Sequence, residues 1–279
     1  LESALITHGL PASVNLDVAR QLEAVVREEG ALPATVAVLD GMARVGLSLD
    51  ELERLAQAVD AAKVSLQDLP VVAAQGRTGG TTVAATMHLA HRTGVLVFAT
   101  GGIGGVHRGH PEDVSADLTA LAQIPMVVVC AGAKAILDLG RTLETLETLG
   151  VAVVGYGSDE FPAFTSRSSG LPVTTRVDGP EEVAALARAR DALGLQAAIL
   201  VAVPIPEAAE LPWSEAEAEI EAAIAEAEAR GISGRDLTPF LLARFSERTG
   251  GRARAANEVL LRNNARVAAR IAGSLALVG

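Results

Sequence analysis

The sequence predicts an α/β fold, a parallel sheet covered by helices, and three observations carry the prediction. Hydrophobic residues fill 49% of the 279 positions and aromatics only 3%. The core must therefore be built from Ala, Val, Leu and Ile, the usual interior of parallel strands buried on both faces. Short apolar runs, such as 127–130 and 197–203, alternate with stretches of helical periodicity. Glycine-rich segments follow several of these runs, at the strand ends where open α/β sheets place their ligands. The length predicts one compact unit, 1–279, with an ample core. A net charge of −11 argues against nucleic acid or an anionic membrane as partner. A single cysteine, Cys130, excludes an internal disulfide framework and fits a reducing cytoplasm. With no secretory signal and no apolar run of about 18 residues, the chain reads as soluble and cytoplasmic.

Taken in order, the apolar residues at 4–6, with Thr7, His8 and Gly9, predict a short strand. A helix follows, capped by Asn15, with Leu16, Ala19, Leu22, Val25 and Val26 on one face and Gly30 as its stop. Residues 35–39 predict a strand that turns at Asp40 and Gly41, and Ser48 with Glu51 makes a capping box for the next helix. Lys63 is placed at that helix's end, and 71–74 reads as a strand. Gly79 and Gly80 run into Thr81 and Thr82 at a helix start, an arrangement that exposes backbone N–H groups to an anion, although it is neither a Walker A loop nor a dinucleotide fingerprint. Strands at 95–100, 127–130, 151–156 and 197–203, the last of them central, alternate with helices at about 142–149 and 181–193. A solvated Ala/Glu helix begins near Ser214 with Glu217 completing a capping box, another starts at Thr238 and Pro239, and Asn257 opens the last.

The chemistry centres on Lys134. Strand 127–130 runs into Ala131, Gly132 and Ala133, small enough for close approach, and then into one lysine at a predicted helix start. Among Ala, Ile and Leu a lysine loses hydration, which favours the neutral, nucleophilic amine of a Schiff-base residue; the alternative is a surface lysine at a helix start. The loop at 101–109 has four glycines in its first five positions. Its glycines permit close backbone approach, and His107 and Arg108 offer donors to a carboxylate or phosphate; the alternative is an exposed, flexible loop. Asp113 and Asp117, four apart, share a face if the segment is helical, and two like charges there call for a hard divalent cation. An acidic helix N-terminus is the competing reading. No paired His or Cys spacing suggests structural zinc.

Several runs together resemble one family. They are Glu2 and Ser3 before Thr7, His8 and Gly9; the runs at 35–41 and 79–87; the glycine loop at 100–109; 114–118; 130–134; 159–162; 238–242; and Asn263 to Arg266. Over about 2–272 the chain resembles pseudouridine-5′-phosphate glycosidases (pseudouridylate synthases), with their indigoidine-synthase-A-like branch. The resemblance implies reversible conversion of pseudouridine 5′-phosphate and water to uracil and ribose 5-phosphate. It further implies a three-layer α/β/α fold with a central mixed, largely parallel sheet, a homotrimer, and one divalent metal, Mn²⁺. By the same resemblance Lys134 is the nucleophile at C1′ and Glu2 the proton donor. Asp113 is the metal ligand, and Lys63, Val83, Ser115, Ala116 and Asp117, with Asn257 near the sugar, bind substrate. A C–C glycosidic bond has no heteroatom leaving group on the base, so two-carboxylate hydrolysis is a poor template, whereas an imine supplies an electron sink. Ala4, Gln67, Val203 and Ala253 depart from the family pattern at Thr, Arg, Asn and Ser positions respectively. These departures bear on the preferred base. Two other readings stand beside the glycosidase: a biosynthetic homologue joining another carbon nucleophile to ribose 5-phosphate, and a non-catalytic sugar-phosphate binding protein.

Overall fold

The computed structural model describes residues 1–232 and 237–276. At the start a π-helical turn over Leu5–Gly9 replaces the predicted strand. The carbonyl of Ser3 accepts from the N–H groups of both Ile6 (2.9 Å) and Thr7 (3.2 Å), curling the backbone. Ile6 then inserts among Ala19, Ala37, Leu39, Leu52 and Leu55. So short an apolar run suits either state locally, and tertiary burial decides. Helix α1 (Asn15–Glu28) ends before Gly30, whose φ is +80°. Asn15 is its first residue and not its cap: the amide donates to the carbonyls of Ile6 (2.9 Å) and Ala56 (3.0 Å), tying three segments together.

Strand β1 (Val36–Leu39) turns at Asp40 and Gly41, with φ of 49° and 75°, into β2 (Met42–Val45). The capping box of Ser48 and Glu51 opens α2 (Leu49–Ala56) as predicted. Lys63 lies on a strand, β3 (Ala62–Val64), and 71–74 belongs to a helix, α3 (Leu69–Ala74). Pro70 in the first turn favours that helix, and only Val72 is buried, which suits a helix touching the protein on one side. The two glycines at 79 and 80 are strand β4 (Gly79–Thr81) and not an anion cradle. A Cβ on Gly79 would meet the Ala62 carbonyl at 2.6 Å, and one on Gly80 the Ser3 carbonyl at 2.6 Å. They are small because backbone passes on both sides.

There follow α4 (Val83–His91), β5 (Val97–Ala99), β6 (Val106–His107), β7 (His110–Val114), α5 (Ala116–Gln123), β8 (Val127–Cys130) and β9 (Leu137–Asp138). Then come α6 (Leu139–Thr148), β10 (Ala152–Tyr156), β11 (Thr175–Val177), α7 (Pro180–Ala192) and β12 (Ile199–Ala202). Three helices complete the described chain: α8 (Trp213–Ala229), α9 (Leu237–Arg248) and α10 (Arg252–Ala276). Pro212 takes the cap position of α8, so Ser214 and Glu217 form no capping box. Asn257 lies inside α10, which begins just after Gly250 and Gly251, both at positive φ.

The central sheet runs β11-β10-β12-β8-β5, and every neighbouring pair is parallel. β12 is central, as its unbroken apolar run predicts. Alternate residues divide between two cores. Val127, Val129, Ile199 and Val201 pack with Val183 of α7 and Ile271 of α10. Val128, Cys130, Leu200 and Ala202 face Leu118 and Leu121 of α5 and Leu146 of α6. Both faces are therefore covered, which makes the three layers, and each such fully buried Val or Leu contributes about 1.5–3 kcal/mol. The sheet is more uniform than predicted. Among the described residues, antiparallel pairs of strands occur in two small sheets, β2-β1-β4-β3, where β3 and β4 are parallel, and β7-β6-β9. Among the described residues no helix is long and apolar enough to cross a membrane.

Candidate active site

Beyond the ends of β5 and β8 the chain leaves the sheet as two small-residue loops. The backbone at Ile103 and Ala133 forms a bridge between them. The Ile103 N–H donates to the Gly132 carbonyl (3.1 Å), and the Lys134 N–H donates to the Ile103 carbonyl (3.1 Å). No helix begins at Lys134. Its backbone enters a turn closed by the Leu137 N–H on the Lys134 carbonyl (3.0 Å), and only after β9 does α6 begin, capped by Asp138. Lys134 is half-buried and faces a cavity of about 460 Å³.

The first half of the glycine loop is not exposed, although Gly109 at its far end is. Gly101 to Gly105 are buried, and each of these four glycines stands against a neighbour. A Cβ on Gly104 would meet Ser115 Oγ at 2.2 Å, and one on Gly105 would meet Thr142 Oγ1 at 2.3 Å. Phe164, held at φ 62°, packs on Gly102 and lines the cavity. A positive φ at an aromatic residue is costly, and its N–H donates to the Ala131 carbonyl (2.9 Å), so the conformation serves to close this wall.

Glu2, Lys63, Lys134 and Asn257 all line this cavity, four sequence-predicted residues from four parts of the chain. Glu2 is anchored through its neighbour. Ser3 Oγ donates to the Val36 carbonyl (2.5 Å) and accepts from the Thr81 N–H (2.9 Å), clamping the segment between β1 and β4. The Glu2 carboxylate accepts from the Thr100 hydroxyl. Burial raises the Glu2 pKa above the ordinary carboxylate range, against the pull of the Lys134 charge and the Thr100 hydrogen bond. Lys63 moves down, first by burial and then by the charge of Lys134, with Asp117 and Glu2 opposing. An acid with a raised pKa and a cation with a lowered one therefore share one space with Lys134.

Val83, Ser115, Ala116 and Asp117 lie outside the cavity lining. Asp117 is buried, and its carboxylate accepts from the N–H groups of Ala84 (3.0 Å) and Gly104 (2.8 Å), joining the start of α4 to the glycine loop. Ser115 caps α5. The predicted helical pairing of Asp113 with Asp117 fails: Asp113 is on β7, where Val114 pairs with Val106, and the chain bends at Ser115 before the helix begins.

Among the described residues there is no group of three or more His, Cys, Asp or Glu able to enclose a metal. The oxygens of Asp117 are taken by backbone donors, which leaves half-buried Asp113, whose charge opposes the burial that lowers the His107 pKa. Asp113 also lies outside the cavity lining, and a single carboxylate there fits only a hard ion that completes its shell from water and substrate oxygens, not a closed site. Cys130 is fully buried, its thiol pushed up to about 12 by loss of hydration, and has no chemical part.

Most of the other lining residues have no assigned role in the sequence, His8, Arg254 and Phe164 among them. His8 reaches the cavity from the π-turn, its Nδ1 2.7 Å from Thr7 Oγ1, and its pKa is lowered by burial and by Lys63. Arg254 stands three residues before Asn257 on α10, a spacing that shares a helical face. Phe164 gave no signal, because its backbone conformation is not legible in its residue type. Of the two donors predicted at 107 and 108, Arg108 is spent on backbone carbonyls and His107 lies 3.4 Å from Thr238 Oγ1.

Known proteins resemble this chain over nearly its whole length. The family described as indigoidine synthase A like protein matches residues 1–274. A pseudouridine-5′-phosphate glycosidase of Paracoccus denitrificans is 57% identical over 280 residues, covering 99% of this chain and 92% of the relative. That of Methylobacterium nodulans is 56% identical over 277 residues, covering 99% and 82%. Among solved structures, an indigoidine synthase A-like protein of Thermotoga maritima superposes with a TM-score of 0.91 at 38% identity, covering 99% of this chain and 91% of that one. The prealnumycin C-glycosynthase AlnA, in complex with ribulose 5-phosphate, superposes with a TM-score of 0.92 at 38% identity and the same coverage.

Proposed function

The chain belongs to the indigoidine synthase A-like family, and from that premise we propose that it is a pseudouridine-5′-phosphate glycosidase, cleaving the C–C bond between uracil and ribose 5-phosphate reversibly. The observation that carries the reading is the convergence of Lys134, Glu2, Lys63 and Asn257 on one cavity, together with full-length relatives of that name at 50–57% identity.

The Lys134 amine bonds to C1′ as the ring C1′–O4′ bond breaks, and the proton that the nitrogen sheds passes to O4′, which leaves as a hydroxyl. The nitrogen lone pair then forms C1′=N while the C1′–C5 bond breaks, its electron pair taking a proton at C5 of uracil. Glu2, its pKa raised by burial, supplies that proton. Water adds to the imine and releases ribose 5-phosphate, restoring the amine. Lys63 and the neighbouring donors hold the phosphate, and Asn257 meets the sugar. The buried glycine loop sets the Lys134 backbone, so the amine is positioned before substrate arrives. Asp113 would hold the divalent ion, Mn²⁺, and the ion when bound polarises substrate oxygen and orders water. The protein acts on small molecules alone and assembles as a homotrimer.

The C-glycosynthase likeness supports a second reading, in which the same imine accepts another carbon nucleophile. The higher identity to the glycosidases favours the first. Purified protein incubated with Mn²⁺ and pseudouridine 5′-phosphate, with uracil followed by chromatography, separates them. Catalytic uracil release supports the glycosidase; background release with consumption of ribose 5-phosphate and a different carbon nucleophile supports the synthase. Neither event would leave a binding protein.

A further inference from the structure

We propose that Arg108 is a positioning residue that fixes the turn carrying Lys134, and that it does not bind substrate anions. The inference rests on Lys134 being the nucleophile. Arg108 Nε donates to the Leu137 carbonyl (3.1 Å) and Nη2 to the Ala135 carbonyl (3.2 Å). Those two carbonyls belong to the turn that begins at Lys134, which its own 3.0 Å bond from the Leu137 N–H closes. On the amino side, Lys134 is held by the Ile103 carbonyl of the glycine loop. On the other side it is held by the guanidinium fork, brought into register by the β6–β9 pairing of His107 with Leu137. The nucleophile is thus tied from both directions to one loop.

The fork is itself braced. Its guanidinium carbon lies 5.8 Å from the ring centroid of Trp213, the first residue of α8 and the only tryptophan of the chain. Two donor directions committed to carbonyls leave Arg108 poorly placed to grip a phosphate. Arg108 is also absent from the cavity lining, whereas Lys134 lines it. A lysine at 108 would offer a single flexible ammonium and could not span two carbonyls in a fixed plane. Displacing a reacting atom by about 1 Å costs on the order of a hundredfold in rate, so the effect of losing the fork falls on the chemical step and not on substrate binding.

The test compares parent, Arg108→Ala, Arg108→Lys and Trp213→Leu in two measurements. One is steady-state cleavage of pseudouridine 5′-phosphate, and the other is the rate at which borohydride traps ribose 5-phosphate on the protein. In Arg108→Ala, kcat and the trapping rate should fall together by about 30- to 100-fold, with KM changed less than about threefold. Arg108→Lys should not restore them. Trp213→Leu should show a smaller loss of the same kind, which keeps the inference testable if Arg108→Ala does not fold. Millimolar guanidinium ion should recover part of the loss in Arg108→Ala. A rise in KM with kcat unchanged would overturn the inference by making Arg108 an anion contact, as would trapping at the parent rate in Arg108→Ala. A parent that forms no adduct at all would instead defeat the assignment of Lys134.

Discussion

Removing the charge of Asp117 tests how the site is held together. The carboxylate accepts from two buried N–H groups, Ala84 at 3.0 Å and Gly104 at 2.8 Å. Asp117→Asn keeps the shape, but only one oxygen remains, and an NH₂ group is turned toward the other N–H. One charge-assisted bond is lost, worth about 1.5–3 kcal/mol, and the surviving bond weakens to a neutral one. A negative charge beside the first turn of α4 is lost as well, worth about 0.3–1 kcal/mol. The sum is a destabilisation of about 2–4 kcal/mol, read as a lower urea midpoint with unchanged slope. Activity should fall further than stability explains, because the freed Gly104 sits next to Ile103, whose carbonyl holds the Lys134 N–H. The charge of Asp117 also helps keep Glu2 protonated, so its loss should move the Glu2 limb of the pH profile to lower pH. A loss below about 0.5 kcal/mol with an unmoved pH profile would refute the reasoning, since it would mean that neither hydrogen bond nor charge acts as described.

Three further outcomes follow from the same geometry. Activity that needs protonated Glu2 should decline as pH rises through its raised pKa, and Glu2→Gln should lose turnover at least about a hundredfold while still forming the Lys134 adduct; near-normal kcat in that variant would assign the proton elsewhere. The folded protein holds this proton where the unfolded chain, with its value of 4.5, has released it, so the parent should lose stability relative to Glu2→Gln as pH rises from there toward the raised value. With Asp113 the carboxylate assigned to the ion, a chelator should abolish turnover and Mn²⁺ should restore it in the parent but not in Asp113→Ala; full activity in excess chelator would show that no ion is needed. Lys63→Ala should raise KM for the nucleotide about tenfold or more with a smaller change in kcat, and equal kcat/KM for nucleotide and nucleoside in the parent would take the phosphate out of the argument.

What the sequence shows best is what local pattern determines. Continuous apolar runs marked β8 and β12 as strands buried on two faces, and the Ala131 to Ala133 run marked the loop that presents Lys134. The capping box at Ser48 and the stop at Gly30 were legible for the same reason. What local pattern does not encode was read wrongly. Residues 4–9 coil because Ser3 is bonded to β1 and β4, partners far away in the chain. Lys63 belongs to a three-residue strand too short to show alternation, and Asp113 to a strand that only its pairing with β6 defines. Gly79 and Gly80 looked like an anion loop, but their smallness answers to passing backbone. Arg108 offers donors suited to a carboxylate or phosphate, and it gives them to backbone carbonyls. In each case the residue type was informative and the direction in which it faces was not.

A Schiff base at Lys134 is one covalent bond that can be fixed and mapped. Ribose 5-phosphate and borohydride, followed by peptide mass mapping, should fix one sugar-phosphate adduct on the peptide that contains Lys134, and Lys134→Ala should carry none. An adduct that persists at the same yield in Lys134→Ala, or a parent that never acquires one, would contradict the Schiff-base chemistry assigned to this cavity.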